Sequence, residues 1–195
     1  MDERKGEAQV TVLRVETALH RAPVAVPVKT SFGVMHDRPA LLVRVIDSEG
    51  AMGYGEIWCN FPSCAAEHRR NLVEHVLGPL LVEAGRQPVI GAFMRMMDRV
   101  WVLAIQSGEW GPLRQAAAGL DAALHDLAAR RAGLPLYRFL APSASSRVAC
   151  YASGIGPEDP ARVARKASAA GHTAFKLKVG FGPQIDRIPP VSAAL

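Results

Sequence analysis

From Leu13 to Leu19, apolar or β-branched side chains alternate with Arg14, Glu16 and Ala18, the period of two that marks a strand with one buried face. Residues 20–39 are punctuated by Pro23, Pro27, Gly33 and Pro39 and predict a long loop. Ala40–Asp47 again has strand character, Asp47-Ser48-Glu49-Gly50 supplies turn chemistry, and Ala51–Trp58 returns as a second strand. The first sixty residues thus predict a small antiparallel sheet. The period then changes. After Pro62-Ser63, a helical face forms from Leu72, Val73, Val76, Leu77, Leu80 and Leu81, interrupted at Gly78-Pro79. A second helix over Val89–Gln106 places Ile90, Phe93, Met97, Trp101 and Ala104 at helical spacing, where Met and Trp read as core filling. The clearest helix is Leu113–Arg131. Its Leu113, Ala117, Leu120, Leu124 and Leu127 form a continuous stripe, and Gly133 and Pro135 follow as stop signals.

Sheet followed by helices predicts an α+β domain over about residues 9–140. Ala141-Pro142-Ser143 reads as a linker, and a second regime over residues 147–195 alternates strand and helix. Arg147–Ala152 is a strand candidate, and Pro157–Ala170 a helix whose Glu158-Asp159 suits the positive end of its dipole. Ala174–Val179 is the next strand, completing a βαβ unit whose strands run parallel.

Composition narrows the function classes. With 49% hydrophobic and 21% charged residues over 195 positions, the chain is globular rather than disordered. The net charge of +5 raises nucleic-acid binding, but the basic residues are scattered. The tight pairs Arg69-Arg70 and Arg130-Arg131 fall in helical segments, where a solvated face is the ordinary meaning, so no nucleic-acid partner is expected. Cys59, Cys64 and Cys150 are an odd count without a CxxC pair, which fits reduced thiols in a cytoplasm. The start, Met1-Asp2-Glu3-Arg4-Lys5, lacks a signal-peptide core, and the longest apolar run, Val100–Ile105, is far short of a membrane span. A soluble cytoplasmic protein with no membrane partner is expected.

Candidate chemistry is concentrated in Ala174-Phe175-Lys176-Leu177-Lys178-Val179-Gly180. On a strand, Lys176 and Lys178 project to one face while Phe175, Leu177 and Val179 face the other. A parallel strand is normally covered on both sides, so two lysines at its C-terminal end call for an explanation. In a β/α barrel that end carries the catalytic residues. Two neighbouring ammonium groups, partly desolvated, favour the neutral amine that a general base requires. An exposed strand with both amines in water is the equal alternative.

The run Ala116-x-Ala118-Gly119-Leu120-Asp121-x-Ala123-Leu124-x-Asp126-Leu127-x-Ala129-Arg130, followed by Pro135-Leu136, resembles the signature of the mandelate racemase/muconate lactonising enzyme family of the enolase superfamily. The paired lysines some fifty residues later resemble that family's Lys-x-Lys on the second barrel strand, and Gly53-Tyr54-Gly55-Glu56 resembles the hairpin end of its capping domain. The resemblance runs from about Val10 to about Asp186. It implies an α+β N-terminal capping domain followed by the first β/α units of a truncated TIM-type barrel. It also implies proton abstraction α to a carboxylate, with magnesium stabilising the enediolate. The substrate class is then a small carboxylate or acid sugar, handled by a dehydratase, racemase or cycloisomerase. By position, Lys178 matches the general base and Lys176 the lysine that tunes it beside the substrate carboxylate. Residues 22–38 and 57–63 resemble the loops that close over the barrel mouth, and the complete enzyme is expected to be a homo-oligomer.

There are departures. The closing Leu-Leu-Gly of the signature is Phe139-Leu140-Ala141 here, and 48 residues run from Val148 to Leu195, against about 250 in a complete barrel. The family's acidic metal ligands stand at the ends of the third, fourth and fifth barrel strands, and the acids after Val148 are Glu158, Asp159 and Asp186. The chain is therefore expected to hold the cap and the base strand, to bind no magnesium specifically and to be inactive alone. Pro189-Pro190 is expected to break the second barrel helix and to mark an interrupted reading frame. Two other readings remain. A Schiff-base aldolase-type barrel uses one lysine as nucleophile, and a non-catalytic truncated product keeps the cap as an interaction domain. Weaker signals do not rise to sites. Glu67-His68 and Glu74-His75 lack the second histidine of a zincin helix, and Gly53-x-Gly55 and Gly180-x-Gly182 lack the rest of a dinucleotide fingerprint. Asp121 and His125 read as a helix-surface pair, and Cys59 as a loop thiol.

Overall fold

The computed structural model describes residues 8–30, 33–156 and 159–179. Two compact units divide between Ala144 and Ser145.

In the first unit, β1 (Gln9–Thr30), β2 (Gly33–Asp47), β3 (Met52–Ile57) and β4 (Arg86–Pro88) form an antiparallel sheet in the order β3-β2-β1-β4. The predicted hairpin at Asp47–Gly50 is present, its turn held by the Asp47 carboxylate, which accepts from the Glu49 and Ala51 amides at 2.9 Å. The long loop expected over residues 20–39 is instead strand. β1 and β2 continue as a two-stranded arm through Arg21↔Pro39 and Pro23↔Asp37 to Val28↔Met35. The prolines misled the reading because the register shifts between Pro23 and Val28, which places Pro27 in an irregularity that needs no ladder donor.

Helix α1 (Ala65–Leu72), a π-helical turn (Val73–Leu77) and α2 (Gly78–Glu83) make one continuous run. The break expected at Gly78-Pro79 is thus only a widening: the Gly78 amide donates to the Val73 carbonyl, five residues back, and Pro79 lies in the first turn of α2. The single helix expected over Val89–Gln106 is two, α3 (Ala92–Arg99) and α4 (Trp101–Ser107), separated at Val100. Ala92, Met96, Met97, Val100 and Ala104 are buried, whereas Ile90 and Trp101 are exposed, so the inward face is turned from the expected one.

Helix α5 (Trp110–Arg131) buries all five residues of its predicted stripe. Each buried leucine contributes roughly 2 kcal/mol. The helix closes in a Schellman arrangement, with the Leu134 amide on the Ala129 carbonyl and the Gly133 amide on that of Arg130, Gly133 being left-handed at φ 63°. Helix α6 (Leu136–Leu140) follows and buries Phe139. The sheet lies unusually close to α5. A Cβ at Gly55 would stand 2.1 Å from the Gly119 carbonyl oxygen, and one at Gly53 2.1 Å from that of Ala123. The Gly-x-Gly of β3 and the Ala/Gly positions of α5 are therefore complementary surfaces of one strand–helix contact. Asp126 secures it by accepting from the Tyr54 amide at 2.9 Å.

In the second unit, β5 (Ala152–Ile155) and β6 (Phe175–Leu177) pair in parallel, joined by α7 (Pro160–Ala169). The expected βαβ unit is present, but its first strand starts later than Arg147–Ala152. Residues 147–151 are exposed and outside the ladder, which begins at Ala152↔Phe175. Asp159 caps α7, its carboxylate accepting from the Arg162 amide at 3.2 Å. Glu158 and the Pro189-Pro190 segment lie outside the described residues.

Candidate active site

Phe175 and Leu177 pack with Ile155, Val163 and Ala164, which fixes one face of β6 against α7. The alternation of the strand turns Lys176 to the opposite face, where it is exposed. Its Nζ stands 5.9 Å from the centre of the Tyr151 ring, within range of a cation–π attraction. Lys178 follows the last residue of β6, and its amide still donates to the Ile155 carbonyl at 2.9 Å, so its main chain remains in the ladder; its side chain is half-buried. Tyr151 was not singled out from the sequence. The signal that points to it is the same alternation of faces, since it precedes Ala152, the partner of Phe175.

The two segments that resemble mouth loops are both in the first unit. Of residues 22–38, those described, 22–30 and 33–38, lie on the arm; of residues 57–63, Ile57 ends β3 and 58–63 follow it. Gly33 lies beside the Phe61 ring, which would be 3.7 Å from a Cβ there. The Arg21 guanidinium reaches Glu67 at 2.7 Å, Asp37 at 3.0 Å and the Ser63 carbonyl at 2.9 Å. Arg21 holds the Glu67 carboxyl below the usual carboxylate range, chiefly through that hydrogen bond. Sequence reasoning passed over Arg21 because its partners are 16, 42 and 46 residues away.

Cys59 lies in the irregular segment after β3, as expected of a loop thiol, but its side chain is buried in the core, and burial pushes its thiol above the ordinary range. The Asp121–His125 pair is also more than a surface pair. Asp121 accepts from the Phe93 amide at 3.3 Å, tying α3 to α5, while His125 Nδ1 lies 2.9 Å from the Asp121 carbonyl. Among the described residues, no three His, Cys, Asp or Glu side chains gather as metal ligands, and no helix is long and apolar enough to cross a membrane. The Lys176 ammonium and the Tyr151 ring are not a donor set for magnesium, which takes carboxylate, carbonyl and water oxygens.

Residues 9–141 match the family model for the mandelate racemase / muconate lactonizing enzyme N-terminal domain. The chain is 30% identical over 200 residues to muconate cycloisomerase 1 of Rhodococcus opacus, covering 95% of this chain and 50% of that protein. It is 34% identical over 151 residues to a D-galactonate dehydratase family member of Catenulispora acidiphila, covering 75% of this chain and 33% of the relative. The crystal structure of a mandelate racemase/muconate lactonizing enzyme from Bordetella bronchiseptica RB50 superposes with a TM-score of 0.81 at 51% identity, over 92% of this chain and 46% of that one. The chain thus spans between a third and a half of the length of these proteins. The family model covers residues 9–141, the antiparallel cap and its helices, and the chain belongs to the mandelate racemase/muconate lactonizing enzyme family of the enolase superfamily.

Proposed function

We propose that the complete enzyme removes a proton α to the carboxylate of a small organic acid or acid sugar, with Lys178 as general base. The observation that carries this reading is Lys176 on the face of β6 away from the side that α7 covers, with Lys178 held at the end of the same ladder by its amide. A base must bring a lone pair within about 3 Å of the proton it takes, and an amine at the end of a barrel strand is placed for that. Lys176, two residues earlier on the same face, lies beside the substrate carboxylate and keeps positive charge there. Magnesium, when bound in the complete enzyme, stabilises the enediolate. Its ligands would be acidic residues, and none stands among the groups described on this lysine face. The relatives carry names as different as cycloisomerase and dehydratase. We therefore assign the shared proton-abstraction step and leave racemisation, β-elimination and cycloisomerisation to the acid on the opposite face of the substrate.

The test is Lys178→Ala in the complete enzyme. Solvent deuterium incorporation at the α-carbon falls at least about a thousandfold, in line with loss of a positioned base, while magnesium affinity measured by calorimetry stays within about twofold. Undiminished exchange removes Lys178 from the role. Residence in a cytoplasm, which the three free thiols fit, and self-association of the complete enzyme belong to the same proposal.

A further inference from the structure

We propose that Arg21 is a positioning residue that fastens the arm and the segment after β3 into one body, so that the two segments that resemble barrel-mouth loops move together. The coupling does not depend on that resemblance or on the proposed function.

The arm needs such a fastening. β3 pairs with β2 from Leu41 to Ile46, so from Gly33 to Ala40 the hairpin has no third strand among the described residues. An isolated two-stranded ladder is marginal in water. This one is weakened further by the register shift between Pro23 and Val28. Arg21 sits just before that shift. Its partner across the ladder is Pro39, and the pair Pro23↔Asp37 closes the regular stretch. The guanidinium is a planar fork of five donors, and here it engages three elements at once. Nη1 donates to Asp37 of the arm, Nη2 to the Ser63 carbonyl of the segment after β3, and Nε and Nη2 to Glu67 in the first turn of α1. Helix α1 is anchored in turn, because Ala65, Ala66, Arg69 and Leu72 are buried. The chain of contacts therefore runs from the arm, through one side chain, to a segment and a helix fixed by the core. Gly33 beside Phe61 brings the same two segments together at a second point. A lysine at position 21 carries the charge but not the fork. It satisfies Glu67 and cannot span to Asp37 and Ser63 as well.

Hydrogen–deuterium exchange of the 195-residue chain, read by mass spectrometry, tests the coupling without substrate or metal, so failure of the base assignment leaves it standing. In Arg21→Ala, peptides covering 33–39 and 58–63 both exchange about tenfold faster, as loss of charge-assisted hydrogen bonds predicts, while peptides from Leu113–Leu127 are unchanged. Arg21→Lys gives an intermediate result in both segments. Asp37→Ala, which removes the acceptor, releases 33–39 alone, because the Ser63 and Glu67 bonds survive. Acceleration of only one segment in Arg21→Ala, or of neither, overturns the proposal. Equal acceleration of α5 also overturns it, since Arg21 would then be a general stabiliser, and an unchanged arm in Asp37→Ala removes the arm from the clasp.

Discussion

The contact between β3 and α5 predicts opposite outcomes for one substitution at two sites in the same helix. At Gly111, in the first turn of α5, a Cβ meets nothing within 4 Å. Gly111→Ala is then governed by helix propensity and stabilises by about 0.5 kcal/mol, less than the mid-helix value because the site is terminal. At Gly119 the added Cβ would stand 2.3 Å from Ile57 Cγ1 and 3.1 Å from the Glu56 carbonyl oxygen. Ordinary contact begins about 1 Å farther out, and Ile57 is itself 1% exposed, so it has no free space into which to retreat. The sheet must lift from the helix or Ile57 must leave its rotamer. Such overpacking costs about 3 kcal/mol, which outweighs a propensity gain of about 1 kcal/mol and leaves a net loss of about 2 kcal/mol. For a chain of this size that lowers Tm by about 6 °C. Gly55→Ala costs more, about 3 kcal/mol or above, because its obstacle is the Gly119 main chain rather than a side chain. Urea denaturation followed by the fluorescence of Trp101 and Trp110, which stack edge-on in this unit, measures all three variants. Gly119→Ala as stable as wild type would refute the reasoning, because the strand and helix would then not be in backbone contact.

The remaining predictions concern charge. Arg69 is 5% exposed and meets neutral acceptors, the Gln115 amide oxygen at 2.9 and 2.6 Å and the Ala65 carbonyl at 3.3 Å, and burial pulls its guanidinium below the ordinary range. Arg69→Met therefore changes the unfolding free energy by no more than about 1 kcal/mol, whereas Gln115→Ala strands the buried cation and costs about 2 kcal/mol; the reverse order in urea denaturation would show that the arginine is stabilising in its own right. Glu16, through Arg44, and Glu67, through Arg21, are held below the ordinary glutamate value of 4.5. Folded values below unfolded ones mean that this stability is complete above about pH 4.5 and fades as pH falls through the depressed values. Tm should drop on that acid side, Glu67→Gln should flatten the drop, and an unaltered acid limb in that variant would remove Glu67 from it.

Where one physical rule acted on consecutive residues, the sequence carried the fold. The stripe from Leu113 to Leu127, the Gly133 stop, the Asp47–Gly50 hairpin and the βαβ order each follow from local spacing, and each is present. Misreadings arose where a local signal was answered by a distant group. Pro23 and Pro27 argue for a loop only if the ladder is regular, and a register shift removes that condition. Gly78-Pro79 argues for a break only if each turn is α-helical, and a π turn accommodates it. The face of α3 and α4 was misjudged because Val100 divides the helix, so that periodicity carried across the division assigned Trp101 to the core when it packs at the surface edge-on to Trp110, 4.8 Å between ring centres.

The candidate site divides in the same way. Lys176 is legible because alternation on a three-residue strand needs only Phe175 and Leu177 to find the core, and both do. Arg21 is not legible, since nothing near it in sequence tells of Asp37, Ser63 or Glu67. The family signature belongs to a third category. Its glycines Gly53, Gly55 and Gly119 are the positions at which a strand and a helix approach until only a hydrogen fits between them, with the Ala123 main chain as the obstacle at Gly53. A motif that identifies an enzyme family can therefore be a packing motif. It holds β3 at a fixed height on α5, and β3 leads directly into the segment that Arg21 clasps at Ser63. Substitution at Gly119 should accordingly loosen residues 58–63 before it alters the lysine strand, which lies in the other unit.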